Sequence, residues 1–106
     1  ISDMEQYKNS AELISEKALE IIDNHYMDPE ISLVSVSKEI AVSPNYLSAL
    51  IKKSTGCTFI DLLSQKRIKV ATDLLLHSNS KIREIAEQCG YSDQHYFSYC
   101  FKLFRK

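Results

Sequence analysis

Apolar residues recur at helical spacing along most of the chain, and polar residues punctuate the runs. Ile14, Ala18, Ile21, Ile22 and His25 fall on one face of a first helix that Ser10 can cap and Asp28-Pro29 ends. Ser32 opens a short second helix with Leu33, Val36 and Ile40 turned inward. Ser43-Pro44 joins an N-cap hydroxyl to a proline at the first helical position, and Gly56 closes that third helix. Thr58-Phe59-Ile60-Asp61 has the pattern of a capping box. It starts a long fourth helix to about His77, with Phe59, Leu62, Leu63, Val70, Ala71, Leu74 and Leu75 apolar. Ser80 and Ser92 are expected to open two more helices. No segment alternates convincingly as a strand, so the expected fold class is all-α, with six or seven helices.

The helices repeat in pairs. Leu33, Val36, Ile40, Ala41 and Val42 recur at an offset of 49 as Ile82, Ile85, Cys89, Gly90 and Tyr91. The following helices recur at an offset of 50, with Tyr46-Leu47-Ser48-Ala49-Leu50-Ile51-Lys52 beside Tyr96-Phe97-Ser98-Tyr99-Cys100-Phe101-Lys102. Each copy is a short helix, a tight turn at Ala41 or Gly90, and a longer helix, which is the helix-turn-helix layout. Ala86 and Gly90 supply the small residues that let two helices approach and the turn form. Ser37 and Ala41 stand at those positions in the first copy.

The second helix of each copy has a divided face. In the first, Tyr46, Leu47, Leu50 and Ile51 are expected inside, while Asn45, Ser48, Ala49 and Lys52 follow i, i+3, i+4, i+7 outside. In the second, Tyr96, Phe97, Cys100 and Phe101 are expected to be buried, and Gln94, His95, Ser98, Tyr99 and Lys102 exposed. Amide, hydroxyl and imidazole groups in such a stripe can pair with base edges, and Ala49 or Tyr99 can touch a thymine methyl.

Charge complicates that reading. The 106 residues carry a net charge of −1, and a polyanion needs a cationic surface. The charge is divided along the chain, however. Residues 1–42 hold three lysines against nine carboxylates, a net −6, and residues 43–106 hold ten cations against five carboxylates, a net +5. A basic face is therefore compatible with the total.

Composition excludes other classes. With 44% apolar and 25% charged residues, the chain reads as one globular domain. Two glycines and two prolines leave little room for hairpins or a phosphate-cradling loop. Cys57, Cys89 and Cys100 form no CxxC pair, which fits a reducing compartment. A metal site from Cys89, His95 and Cys100 would need a spacing unlike the usual zinc patterns. No metal or cofactor is expected. Apolar runs stay far short of a membrane span and no signal-peptide core exists, so a cytoplasmic location is expected. Three scattered histidines offer no nucleophile–base pair, with His25 and His77 at helix ends, so no enzyme is expected. A helical protein-interaction module, with the acidic first half as its contact surface, is the alternative to nucleic-acid binding.

The stretch from Ser43-Pro44-Asn45-Tyr46-Leu47-Ser48 through Ile51-Lys52-Lys53, Thr55-Gly56, Arg67-Ile68, Ala71 and Leu74-Leu75 resembles the DNA-binding domain of AraC/XylS-type transcription regulators. Ile82, Glu84-Ile85-Ala86, Gly90-Tyr91-Ser92-Asp93, Tyr96-Phe97-Ser98 and Phe101-Lys102 continue the resemblance, which runs from about Ser10 to Lys106. It implies two homeodomain-like helix-turn-helix subdomains, at 10–56 and 79–106, joined by a linker helix at 57–78. The second helix of each, at about 43–55 and 92–104, would enter successive major grooves of double-stranded DNA. The twenty residues from Thr58 to His77 span about 30 Å as a helix, close to the ~34 Å turn of the duplex.

Carried over by position, the base-contacting residues are Asn45, Ser48 and Ala49 in the first motif and Gln94, His95, Ser98 and Tyr99 in the second. Lys52, Lys53, Lys102 and Arg105 would face phosphates. Ala49 and Tyr99 stand where many members of that family have arginine, so the bidentate guanine contact is missing. The resemblance further implies a bacterial regulator with a separate sensor or receiver region, with RNA polymerase as a candidate partner and the isolated domain a monomer. The start at Ile1, without Met, and the stop short of that family's glycine, proline and tyrosine-arginine ending are expected of a piece of a longer protein.

Overall fold

The computed structural model describes residues 10–104, which form six helices and no strand. They are α1 (Ser10–His25), α2 (Leu33–Ile40), α3 (Pro44–Thr55), α4 (Phe59–His77), α5 (Ile82–Gln88) and α6 (Gln94–Phe104).

Local chemistry explains most of the boundaries. Ser32 Oγ accepts from the Ser35 N–H at 3.1 Å while the Ser32 N–H donates to Ser35 Oγ at 2.9 Å, so α2 opens on a reciprocal box. Ser43 caps α3 by accepting from the Tyr46 N–H, with Pro44 in the first turn. Gly56 ends α3 in the left-handed region at φ +78°. Thr58 Oγ1 accepts from the Asp61 N–H, which is the threonine half of the expected box.

Three starts differ from the sequence reading. Ser10 is already helical and does not cap α1. Lys81, not Ser80, precedes α5, because the Glu84 carboxylate accepts from the Lys81 N–H at 2.9 Å and draws the start one residue on. Asp93, not Ser92, caps α6, its Oδ1 accepting from the His95 N–H at 2.9 Å. His25, expected on the apolar face of α1, is exposed; Ile22 and the half-buried Tyr26 fill that level instead.

The two helix-turn-helix turns are built alike. Ala41 at φ +69° and Gly90 at φ +91° occupy the left-handed position. The Val42 N–H bonds back to Ser37 O at 3.0 Å and the Tyr91 N–H to Ala86 O at 2.9 Å, a pair of Schellman closures at the offset of 49. Ser37 and Ala86 are both buried under these turns, and the Ser37 hydroxyl donates to Val34 O. Alanine in the left-handed region is strained by about 1–2 kcal/mol, against about 0.5–1 kcal/mol for the extra chain entropy of glycine. Ala41→Gly should therefore raise stability by about 0.5–1 kcal/mol, read as a higher urea midpoint with an unchanged slope.

Two cores form, one per motif. Ala18, Ile22, Val36, Leu47, Ile51, Phe59 and Leu63 make the first. Ile68, Ala71, Ile85, Ala86, Cys89, Tyr91, Phe97 and Cys100 make the second. Helix α4 serves both, with Phe59 and Leu63 given to the first core and Ile68 and Ala71 to the second. At 19 residues it spans about 28 Å.

Candidate nucleic-acid interface

Packing turns one face of α3 and one face of α6 inward and leaves the opposite stripes open. Leu47 and Ile51 anchor α3, and Phe97 and Cys100 anchor α6. On α3, Asn45 and Ala49 are exposed and Ser48 is half-buried between them. On α6, Gln94, His95 and Tyr99 are exposed and Ser98 is half-buried. The repeat therefore places matching positions, Asn45 and His95, Ser48 and Ser98, Ala49 and Tyr99, on the two helices, opposite the buried Leu47 and Phe97.

Tyr46 and Tyr96 correct the sequence reading. They were expected inside, yet 47% of Tyr46 and 55% of Tyr96 is exposed. Each precedes a fully anchored residue, Leu47 or Phe97, and adjacent residues on a helix lie about 100° apart. That rotation carries the tyrosines to the flank of the stripe. Tyr96 is stacked on Tyr99, ring centroids 6.4 Å apart, so α6 exposes a pair of aromatic rings beside its amide and imidazole groups. Phe101, also expected inside, is only partly buried, packed against the second core.

The cations are less uniform than the stripe. Lys52, Lys53 and Lys102 are exposed. Lys52 Nζ donates to Gly56 O at 3.1 Å, folding back over the C-terminal end of its own helix. Lys53 lines a shallow depression with Ala11, Glu12, Ser15, Leu50 and Ser54, toward α1. Arg105 lies outside the described residues. Burial pushes the Cys89 thiol up to about 11, which keeps it a neutral core residue. Among the described residues, no three His, Cys, Asp or Glu side chains are arranged to hold a metal ion, and no helix is long and apolar enough to cross a membrane.

Arg67 projects from α4 toward the turn that follows α1. Its Nε–H donates to Tyr26 O at 2.8 Å and its Nη2 to Asp28 O at 2.9 Å, just beyond the C-terminal end of α1. The guanidinium lies 5.2 Å from the centre of the Tyr91 ring, in the turn of the second motif. Burial pulls its pKa down, opposed by the neighbouring Tyr91 and Asp28. One signal was available in the sequence. Phe59, Leu63, Arg67 and Ala71 advance by four, so the arginine interrupts an otherwise apolar row.

A helix-turn-helix domain family matches residues 36–105. The chain belongs to the AraC-type helix-turn-helix family. This AraC-type chain is 37% identical over 83 residues to the transcriptional activator Btr of Bacillus subtilis, covering 78% of this chain and 16% of Btr. It therefore spans only a small part of that relative's length. Among solved structures, the C-terminal domain of the response regulator AraT from Geobacillus stearothermophilus has a TM-score of 0.85 at 43% identity, covering 86% of this chain and 75% of that one. The C-terminal domain of the two-component response regulator YesN from Fusobacterium nucleatum has a TM-score of 0.81 at 39% identity, covering 93% and 98%.

Proposed function

We propose that this AraC-type domain binds double-stranded DNA sequence-specifically as the output domain of a transcription regulator, with α3 and α6 reading successive major grooves. The duplicated exposed stripe carries this reading. Asn45, Ser48 and Ala49 read bases from α3, and Gln94, His95, Ser98 and Tyr99 from α6. Asn45 and Gln94 offer amides to adenine, and Tyr99 and Ala49 offer apolar contact to thymine methyls. Lys52, Lys53, Lys102 and Arg105 neutralise phosphates, Lys52 by exchanging its exposed bond to Gly56 O for a phosphate oxygen. The function is binding, with no catalytic step, and it is exercised in the cytoplasm.

The likeness to C-terminal domains of response regulators supports a receiver region elsewhere in the parent protein, and RNA polymerase is a candidate further partner. Without recognition-helix arginines, and with a net −6 over residues 1–42, the isolated monomer binds weakly at physiological salt. Dimerisation through the parent protein then raises effective concentration.

Random-sequence selection on duplex DNA tests the reading. Enrichment of a bipartite site with elements about one turn apart supports it, and no enrichment at low salt sinks it in favour of a protein-interaction module. Salt titration on the selected site tests the cations. Each phosphate contact contributes about 0.9 to the log–log slope. Lys52→Ala combined with Lys102→Ala should thus flatten the slope by about 1.8; an unchanged slope removes both lysines from the interface.

A further inference from the structure

Two cores that do not merge need something to hold their mutual orientation. Where the motifs face each other the surface is an open groove, with Ile31, Leu33 and Phe59 of the first on one side and Tyr91 and Tyr96 of the second on the other. A shared helix does not by itself fix the angle between the units at its ends, because helices bend.

Arg67 bridges that gap. It sits on α4 between the residues given to each core, Leu63 on one side and Ile68 on the other. Its fork holds two carbonyls of the turn that follows α1, in the first motif, while its guanidinium carbon lies over the Tyr91 ring of the second, 5.2 Å from the centre. Gly90 completes the fit. A Cβ there would lie 2.5 Å from Tyr26 O and 2.9 Å from Arg67 Nη2, so the second turn touches both the arginine and its acceptor. Lys66 strengthens the same seam on the first-motif side, 3.7 Å from Asp23 and 5.5 Å from the centre of the Tyr26 ring. A planar guanidinium is suited to this task, since it can donate two directed bonds in its plane while stacking an aromatic ring on its face.

We propose that Arg67 is a positioning residue that locks the two helix-turn-helix motifs into one rigid reader and so sets the spacing between the two DNA elements the domain accepts. It touches no base. Its effect is on how far apart, and in what phase, α3 and α6 are presented. This rests on the DNA-binding reading above for its consequence, though not for the lock itself.

Two measurements on the 106-residue domain separate the two. Residual dipolar couplings report the lock without DNA. In the wild type one alignment tensor fits both motifs; in Arg67→Ala the motifs require two. Binding to the selected bipartite site and to versions with one to five base pairs inserted reports the consequence. The wild type should lose about 10-fold or more on insertion, as the second element leaves the reach of a rigid reader, whereas Arg67→Ala should lose under about 3-fold. Arg67→Lys keeps the charge but not the fork and the stacking plane, and should behave as Arg67→Ala does; it also carries the test should the alanine variant unfold. A single tensor and an unchanged spacing penalty in a folded variant overturn the proposal. If no site is enriched by the wild type, the DNA reading fails, and the tensors alone decide whether the lock exists.

Discussion

Phe97→Ala should cost about 3–5 kcal/mol of folding free energy and Leu47→Ala about 2–5 kcal/mol. The two residues are equivalents in the repeat, each at the centre of its recognition helix's buried face, with 1% of Phe97 and none of Leu47 exposed. Phe97 stands to lose more, because its ring meets Tyr91 at 5.3 Å and Phe101 at 5.8 Å between centroids, and aromatic pairs add to the area they bury. Losses of this size are a large share of the 5–15 kcal/mol typical of a domain's total stability. Their distribution matters as much as their size. Since the cores are separate, amide exchange in Leu47→Ala should accelerate mainly in α1 to α3, and in Phe97→Ala mainly in α5 and α6. Urea unfolding gives the magnitude and hydrogen exchange the location. Equal acceleration across all six helices would show that α4 couples the cores into one cooperative unit, and losses below about 1 kcal/mol would show that the sites collapse around the missing side chains.

The repeat that makes these two residues equivalent was readable because it rests on local chemistry. A small residue five before the turn's end and a left-handed residue at the turn leave the same trace at Ser37/Ala41 and Ala86/Gly90. Ser43-Pro44 likewise carries its cap and its first helical residue side by side. The starts of α5 and α6 were harder, because Ser78-Asn79-Ser80 and Ser92-Asp93 each offer more than one side chain able to cap. A carboxylate reaching back from Glu84 or forward from Asp93 settled them. Tyr46 and Tyr96 misled for a different reason. Adjacent helix positions diverge by about 100°, and nothing in Tyr46-Leu47 or Tyr96-Phe97 says which one yields. Arg67 was the least legible. Its acceptors are backbone carbonyls at Tyr26 and Asp28, about forty positions away, and a carbonyl has no side-chain signature. Only its interruption of the apolar row on α4 marks it.

Restoring arginine to both recognition stripes should rewrite what the domain selects. Ala49 is exposed and 60% of Tyr99 is exposed, so a longer side chain at either position enters solvent rather than a core. Replacing Tyr99 gives up its stacking on Tyr96, while the contact of Tyr96 with the buried Tyr91, 6.0 Å between centroids, does not involve it. A guanidinium in the major groove donates to guanine O6 and N7 together, and each such pair discriminates by about 1–3 kcal/mol. That corresponds to roughly 5- to 150-fold per position. Ala49→Arg should therefore introduce a guanine into one element of the selected site, Tyr99→Arg a guanine into the other, and the double variant both. The two gains should nearly add, about 2–6 kcal/mol in all, because the stripes lie in different motifs and share no partner. Selection and binding with the four proteins on matched and mismatched sites measures this. If affinity rises equally for every sequence, the new arginines are meeting phosphates and the stripes do not face the bases. If each arginine instead changes one element and leaves the other alone, the assignment of Ala49 to the first element and Tyr99 to the second follows directly.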